Sequence, residues 1–375
     1  MENVSNKGVG GLAASIFALF CTMMFLQTSF IPNIVSDSLA STDTIRSTSY
    51  SKTFPALNTL EDLDGQKVIA IGSSIIQYSV DGKCISNTID TPNTSVFNLG
   101  VAGANPYTEI LQIPAIIRAD PEIVMIDLGP NGLWDFYESE SLDEYIRFRF
   151  TINSIAMGNE DIGEWKDLIR ERDKEWIAFN DIERIQSTQS YSRITAEKIL
   201  IKEFDEYFEE SFEQIKYKQY APEPDSKGWI DYLMTPKFLA PKYENFNDSD
   251  VQILIDDKMK SKKKQGVYNP HFDGTLNHEA YEYMIQELTD SGIHVLLIAT
   301  PHHSMVYPHL DEGQLDGFNA TMDRYEAEYG ATPLNMYWET WDNSMFRDRN
   351  HLGHNGREYF CERVSPVIDE ILSER

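Results

Sequence analysis

Three residues after an apolar run have types suited to chemistry. Val68-Ile69-Ala70-Ile71 is followed by Gly72-Ser73-Ser74 and then by a second apolar segment with Ile75, Ile76 and Tyr78. A serine at a tight strand-to-helix turn lies beside free backbone N–H groups, which favour an oxyanion. The hydroxyl becomes a nucleophile only when a base takes its proton. Near the other end of the chain, Asp348-Arg349-Asn350-His351 offers such a base, with a carboxylate three residues earlier to fix its tautomer. Taken alone, Gly-Ser-Ser is more often just a helix cap, and His351 and Asp348 read as surface polar residues.

The elements that would hold these groups can be read from the pattern. The spacing predicts strands at Val68–Ile71, Ser95–Leu99, Glu122–Leu128, Ile293–Ala299 and Thr332–Trp338. Helices are expected at Tyr107–Arg118, Asn277–Thr289, Gly317–Tyr329 and Arg357–Leu372, and the segment Asp81–Asn93 reads as a polar loop. Strands that alternate with helices imply a parallel α/β sheet, with ligands at the carboxyl ends of the strands. Gly72, the Gly100–Gly103 stretch, Gly129-Pro130-Asn131-Gly132 and Thr300-Pro301-His302-His303 all stand at such ends. His302 and His303 are therefore candidate substrate contacts, against a default structural reading. Residues 141–290 break the alternation and read as a large, mainly helical insertion. Its aromatics (Trp165, Trp176, Tyr217, Tyr220, Trp229, Tyr232) could line a groove or form a core of their own. Lys258–Lys264 reads as a solvated basic loop.

Composition narrows the classes. The chain has 375 residues, 41% hydrophobic and 12% aromatic, enough for a substantial core. A formal net charge of -28 argues against nucleic acid as a partner and against docking on anionic lipid. Three cysteines are too few for a disulfide framework, and no cysteine–histidine cluster has zinc-site spacing, so neither a metal nor a cofactor is expected. Cys84 and Cys361 could form one bridge in an exported domain. From Gly8 to Val35 there is no charged residue. That length suits a single N-terminal pass through a bilayer, with a cleaved signal peptide as the competing reading. Either way the bulk of the chain is expected outside the cytoplasm, membrane-anchored or, after cleavage, secreted. Residues 1–36 are thus read as anchor or signal and 37–65 as linker.

Four short blocks together resemble the SGNH (GDSL-like) hydrolase superfamily. Gly72-Ser73-Ser74 resembles its nucleophile block, Asn98-Leu-Gly-Val-Ala-Gly103 its glycine block, Gly129-Pro-Asn131 its Gly-x-Asn block and Asp348-Arg-Asn-His351 its Asp-x-x-His block. The resemblance covers 66–135 and 292–375. It implies a three-layer, flavodoxin-like fold with a five-stranded parallel sheet, split by the insertion into 66–140 and 291–375. It also implies a triad of Ser74, His351 and Asp348, with an oxyanion hole formed by the N–H groups of Ser74 and Gly103 and the side-chain amide of Asn131. The register of the block selects Ser74, although Ser73 stands where the family usually has Asp, which leaves Ser73 as the competing nucleophile.

What the resemblance implies about activity is a serine esterase or O-acyltransferase. An acyl group, acetyl above all, would pass through an acyl-Ser74 intermediate. The substrate would be an acylated carbohydrate at the cell surface, and a membrane-bound protein could act as acyl donor. Hydrolysis and transfer use the same triad and stay open at this point. The reading from another class is a non-catalytic glycan-binding or assembly protein on the same fold, with Ser73 in its favour and the Asp348–His351 pair against it.

Overall fold

The computed structural model describes residues 11, 13–22, 24, 49–101, 104, 106–129, 133, 226–236, 247–264, 276–310 and 312–375. The first described part of the main domain is helix α1 (Ser49–Glu61), followed by β1 (Gln66–Ile71), α2 (Ser74–Ser79), α3 (Gly82–Thr88) and β2 (Thr94–Asn98). After α4 (Pro106–Glu109) and a 3-10 turn come α5 (Ile113–Ala119) and β3 (Ile123–Asp127). The second half holds α6 (Trp229–Leu233), α7 (Asp248–Lys264), α8 (Leu276–Asp290) and β4 (His294–Ala299). It ends with α9 (Glu312–Tyr329), β5 (Thr332–Asn335) and α10 (His354–Ser373).

The five strands form one parallel sheet in the order β2-β1-β3-β4-β5. This is the flavodoxin-like order, in which the chain changes direction between β1 and β3. The apolar runs of β1 to β4 are buried on both faces, as a parallel sheet between two helical layers requires, while the edge strand β5 is half-buried. Val68, Ala70, Val96, Met125 and Ile298 face one layer, where α10 packs through Phe360, Val364 and Ile368. Ile69, Ile71, Phe97, Ile126 and Leu297 face the other, with side chains from α1, α5, α8 and α9. The period-2 alternation thus serves two cores at once. Ile71 lies beside Ile126, so the turns after β1 and β3 leave the sheet side by side.

Several expectations need correction. Residues 49–61, within the stretch read as linker, form α1, which buries Phe54, Ala56, Leu57 and Leu60. The polar segment after Val80 contains α3, capped by the Asp81 side chain, which accepts the Cys84 N–H at 3.1 Å. A disulfide joins Cys84 on α3 to Cys361 on α10. The helix expected over Tyr107–Arg118 is broken by the 3-10 turn Ile110–Gln112, and Pro114 sits in the first turn of the new helix, where its missing N–H does no harm. Lys258–Lys264 lies within α7 instead of forming a loop. α8, read as the end of the insertion, is a crossover helix of the sheet, with Tyr281, Met284 and Ile285 in the core. Trp229 belongs to that same core and donates to Thr59 Oγ1 at 3.1 Å, so it lines no groove. Trp165, Trp176, Tyr217 and Tyr220 lie outside the described residues.

No helix among the described residues is long and apolar enough to cross a membrane. Of the apolar N-terminal stretch, 11, 13–22 and 24 are described; they are helical, with Ile16, Phe17, Leu19, Phe20 and Met24 exposed. The rest of the stretch expected to span a bilayer lies outside the described residues.

Candidate active site

The turn after β1 is built around Gly72. Its φ of +143° is one that side-chain-bearing residues rarely adopt, and a Cβ there would lie 2.5 Å from Asp127 Cβ and 2.7 Å from Ile76 Cγ1. Ser73 is the N-cap of α2: its Oγ accepts the Ile75 N–H at 3.2 Å and donates to Asp127 Oδ2 at 2.7 Å. With its hydroxyl engaged on both sides, Ser73 serves the turn. Ser74, the first residue of α2, turns its Oγ to within 2.7 Å of His351 Nε2.

His351 comes from the loop between β5 and α10. Asp348, buried, accepts the backbone N–H groups of Asn350 (3.2 Å) and His351 (3.0 Å). The same carboxylate meets His351 Nδ1 at 2.9 Å from each oxygen. A carboxylate only accepts, so Nδ1 carries the proton and Nε2 is left to accept from the Ser74 hydroxyl. The loop is tied at its neck: Phe346 and Leu352 form a β-bridge, Arg347 N–H donates to the His351 carbonyl at 3.0 Å, and Gly353 N–H to that of Met345 at 2.7 Å. Two segments 277 residues apart therefore place serine, imidazole and carboxylate in line.

Of the remaining sequence-predicted residues, Gly103 and Asn131 lie outside the described residues. The start of the glycine block is described and supports α2. Asn98 donates to the carbonyls of Val80 (2.7 Å), Ile76 (3.1 Å) and Gln77 (3.3 Å), satisfying the orphan acceptors at the helix end. Its Oδ1 accepts the Gly100 N–H at 3.0 Å, and Val101 N–H donates to the Gly72 carbonyl at 2.8 Å. Gly100 passes so close that a Cβ would lie 2.5 Å from Gln77 N. His302 is buried, with its ring 4.9 Å from that of Tyr337, and burial lowers its pKa to about 4, so it is neutral. His303 is also buried; its Nδ1 accepts the Met305 N–H at 3.3 Å, capping the turn that follows. His303 lies against the loop that carries His351, its backbone N–H donating to the Arg349 carbonyl at 2.9 Å.

Two acids that the sequence reading passed over sit behind the Ser73–Ser74 turn. Asp127, half-buried at the end of β3, has its pKa raised to about 6 by desolvation, against the opposing effect of the Ser73 hydrogen bonds. Glu109, at the end of α4, is buried, and desolvation followed by the charge of Asp127 raises its pKa to about 8. Tyr281 of α8 donates its hydroxyl to the Asp127 carbonyl at 2.7 Å, and burial raises its pKa as well. The signal for Asp127 was present: it is the single acid within the apolar strand Ile123–Asp127.

No curated protein matches the chain. Residues 247–369 match the family model described as DltD protein, a span that begins just ahead of α7 and ends within α10. It includes Asp348 and His351, while the Ser74 turn precedes it.

Proposed function

We propose that this chain is a serine-dependent acyltransferase that acts on acyl groups of cell-surface glycans through an acyl-Ser74 intermediate. The observation that carries the reading is the unbroken run Ser74 Oγ–His351 Nε2 (2.7 Å) and His351 Nδ1–Asp348 (2.9 Å) at the carboxyl edge of the sheet. In this reading Ser74 Oγ attacks the ester or thioester carbonyl as its proton passes to His351 Nε2. Asp348 stabilises the imidazolium, and His351 then protonates the leaving group. A hydroxyl of the acceptor, activated by the same nitrogen, takes the acyl group and frees Ser74. The N–H groups of Ser74 and Gly103 and the amide of Asn131 are proposed to hold the oxyanion. Loss of one such donor typically costs about a hundred- to a thousandfold in rate.

The similarity to DltD supports transfer over hydrolysis, since that family is implicated in D-alanylation of cell-wall teichoic acids. A membrane-associated acyl donor is the matching partner. The exposed apolar residues Ile16, Phe17, Leu19, Phe20 and Met24 fit an N-terminal anchor, and the Cys84–Cys361 bridge fits a domain outside the cytoplasm. The SGNH resemblance supplies the fold-level analogy. The test is labelling of the full chain with a fluorophosphonate, followed by peptide mapping. Label on Ser74 that is absent in Ser74→Ala and His351→Ala supports the reading; label on Ser73, or none on the folded protein, defeats it.

A further inference from the structure

Ser74 and Tyr78 stand four residues apart on α2, and so lie one above the other on the same helix face. His351, held by Ser74 at its Nε2, meets the Tyr78 ring with centroids 4.7 Å apart and planes tilted at 52°. The guanidinium carbon of Arg347 lies over that same Tyr78 ring, 4.7 Å from its centroid. Arg347 belongs to the loop that carries His351 and donates its backbone N–H to the His351 carbonyl at 3.0 Å. Tyr78 thus touches the base directly and the root of its loop through a cation–π contact.

We infer that Tyr78, clamped by Arg347, is a positioning residue that holds the His351 ring in line with Ser74. The inference rests on the acyl-transfer reading of the site. Asp348 fixes one edge of the imidazole, but hydrogen bonds at Nδ1 and Nε2 lie near the ring plane and leave rotation about their common axis unopposed. A ring packed at 4.7 Å opposes that rotation. The arrangement also explains the economy of α2, a helix of only six residues: its first residue bears the nucleophile and its fifth braces the base. Neither contact needs the tyrosine hydroxyl, so the aromatic face is the functional part.

The test compares the full chain with Tyr78→Phe, Tyr78→Leu and Arg347→Met. The readouts are the rate of fluorophosphonate labelling at Ser74 and the downfield proton resonance of His351 Nδ1–H, assigned by its loss in His351→Ala. Tyr78→Phe is expected to label at the wild-type rate with a sharp resonance. Tyr78→Leu is expected to label about ten- to a hundredfold more slowly, the scale that small misplacements of a reacting group produce, with the resonance broadened by exchange. Arg347→Met, which leaves the ring in place, is expected to move both readouts in the same direction by less. Tyr78→Leu with wild-type rate and a sharp resonance overturns the inference, and so does a Tyr78→Phe as impaired as Tyr78→Leu. A wild type that takes no label defeats the acyl-transfer reading instead, and the resonance then decides the clamp by itself.

Discussion

Glu109→Gln isolates the electrostatics beneath the Ser73–Ser74 turn. Burial raises the Glu109 pKa from 4.5 to about 8, with a smaller push from Asp127. At about 1.36 kcal/mol for each pH unit between those values, ionising Glu109 costs the fold roughly 5 kcal/mol. The sign follows from proton counting. Between the unfolded and folded pKa values the folded chain binds more protons than the unfolded one, so stability falls as pH rises. The Glu109 contribution is fully present below 4.5 and is lost by about 8. Glutamine has no proton to lose. Urea unfolding of wild type and Glu109→Gln at pH 5 and pH 9 is therefore expected to show the variant gaining on the wild type by roughly 4 kcal/mol between the two. Asp127, raised to about 6, slopes in the same direction in both proteins and largely cancels in the difference. A stability difference between the two proteins that is flat with pH refutes the argument, because a purely steric role for Glu109 would shift both pH values equally.

Two further outcomes are expected. Gly72→Ala combines a φ of +143° with a Cβ 2.5 Å from Asp127 Cβ, and should destabilise the chain by more than about 2 kcal/mol, read as a lower urea midpoint, with labelling of Ser74 lost at the same time. Asp348→Asn keeps the loop's backbone acceptor but favours the wrong imidazole tautomer. The labelling rate should fall by a factor on the order of 10⁴, with little change in the unfolding midpoint.

The sheet was legible because its signals were local. Val68–Ile71 and Val295–Ala299 are apolar runs too short for helices, and each closes at a glycine or proline turn. The ends of α10 and α8 fell within a few residues of expectation for the same reason. Spacing and family resemblance name Ser74, Asp348 and His351, yet only the fold brings His351 within 2.9 Å of both the others. What stayed hidden depended on tertiary contact. α3 has seven residues and a polar face, and its order comes from the Asp81 cap and the bridge to Cys361. α1 is rich in serine and threonine, and Pro55 inside it disguises a helix that sends Phe54, Ala56, Leu57 and Leu60 into the core. Glu109 lies in a sequence that gives no hint of a buried acid, since its burial is produced by packing against α8.

Ser73 is the residue on which the sequence and the structure can be set directly against each other. Read as sequence, a serine where the resembling family usually has aspartate counted in favour of a binding module that has lost its chemistry. In the fold, position 73 lies 2.7 Å from the Asp127 carboxylate. An aspartate there would place two carboxylates in contact, and both could not be ionised at once. Serine avoids the conflict because a hydroxyl donates and accepts: it caps α2 through the Ile75 N–H and gives its proton to Asp127. In this chain the acid stands at the adjacent strand end, and the turn keeps its cap. The departure is thus paired with Asp127 and carries no weight against a nucleophile at Ser74, whose own hydroxyl remains directed at His351.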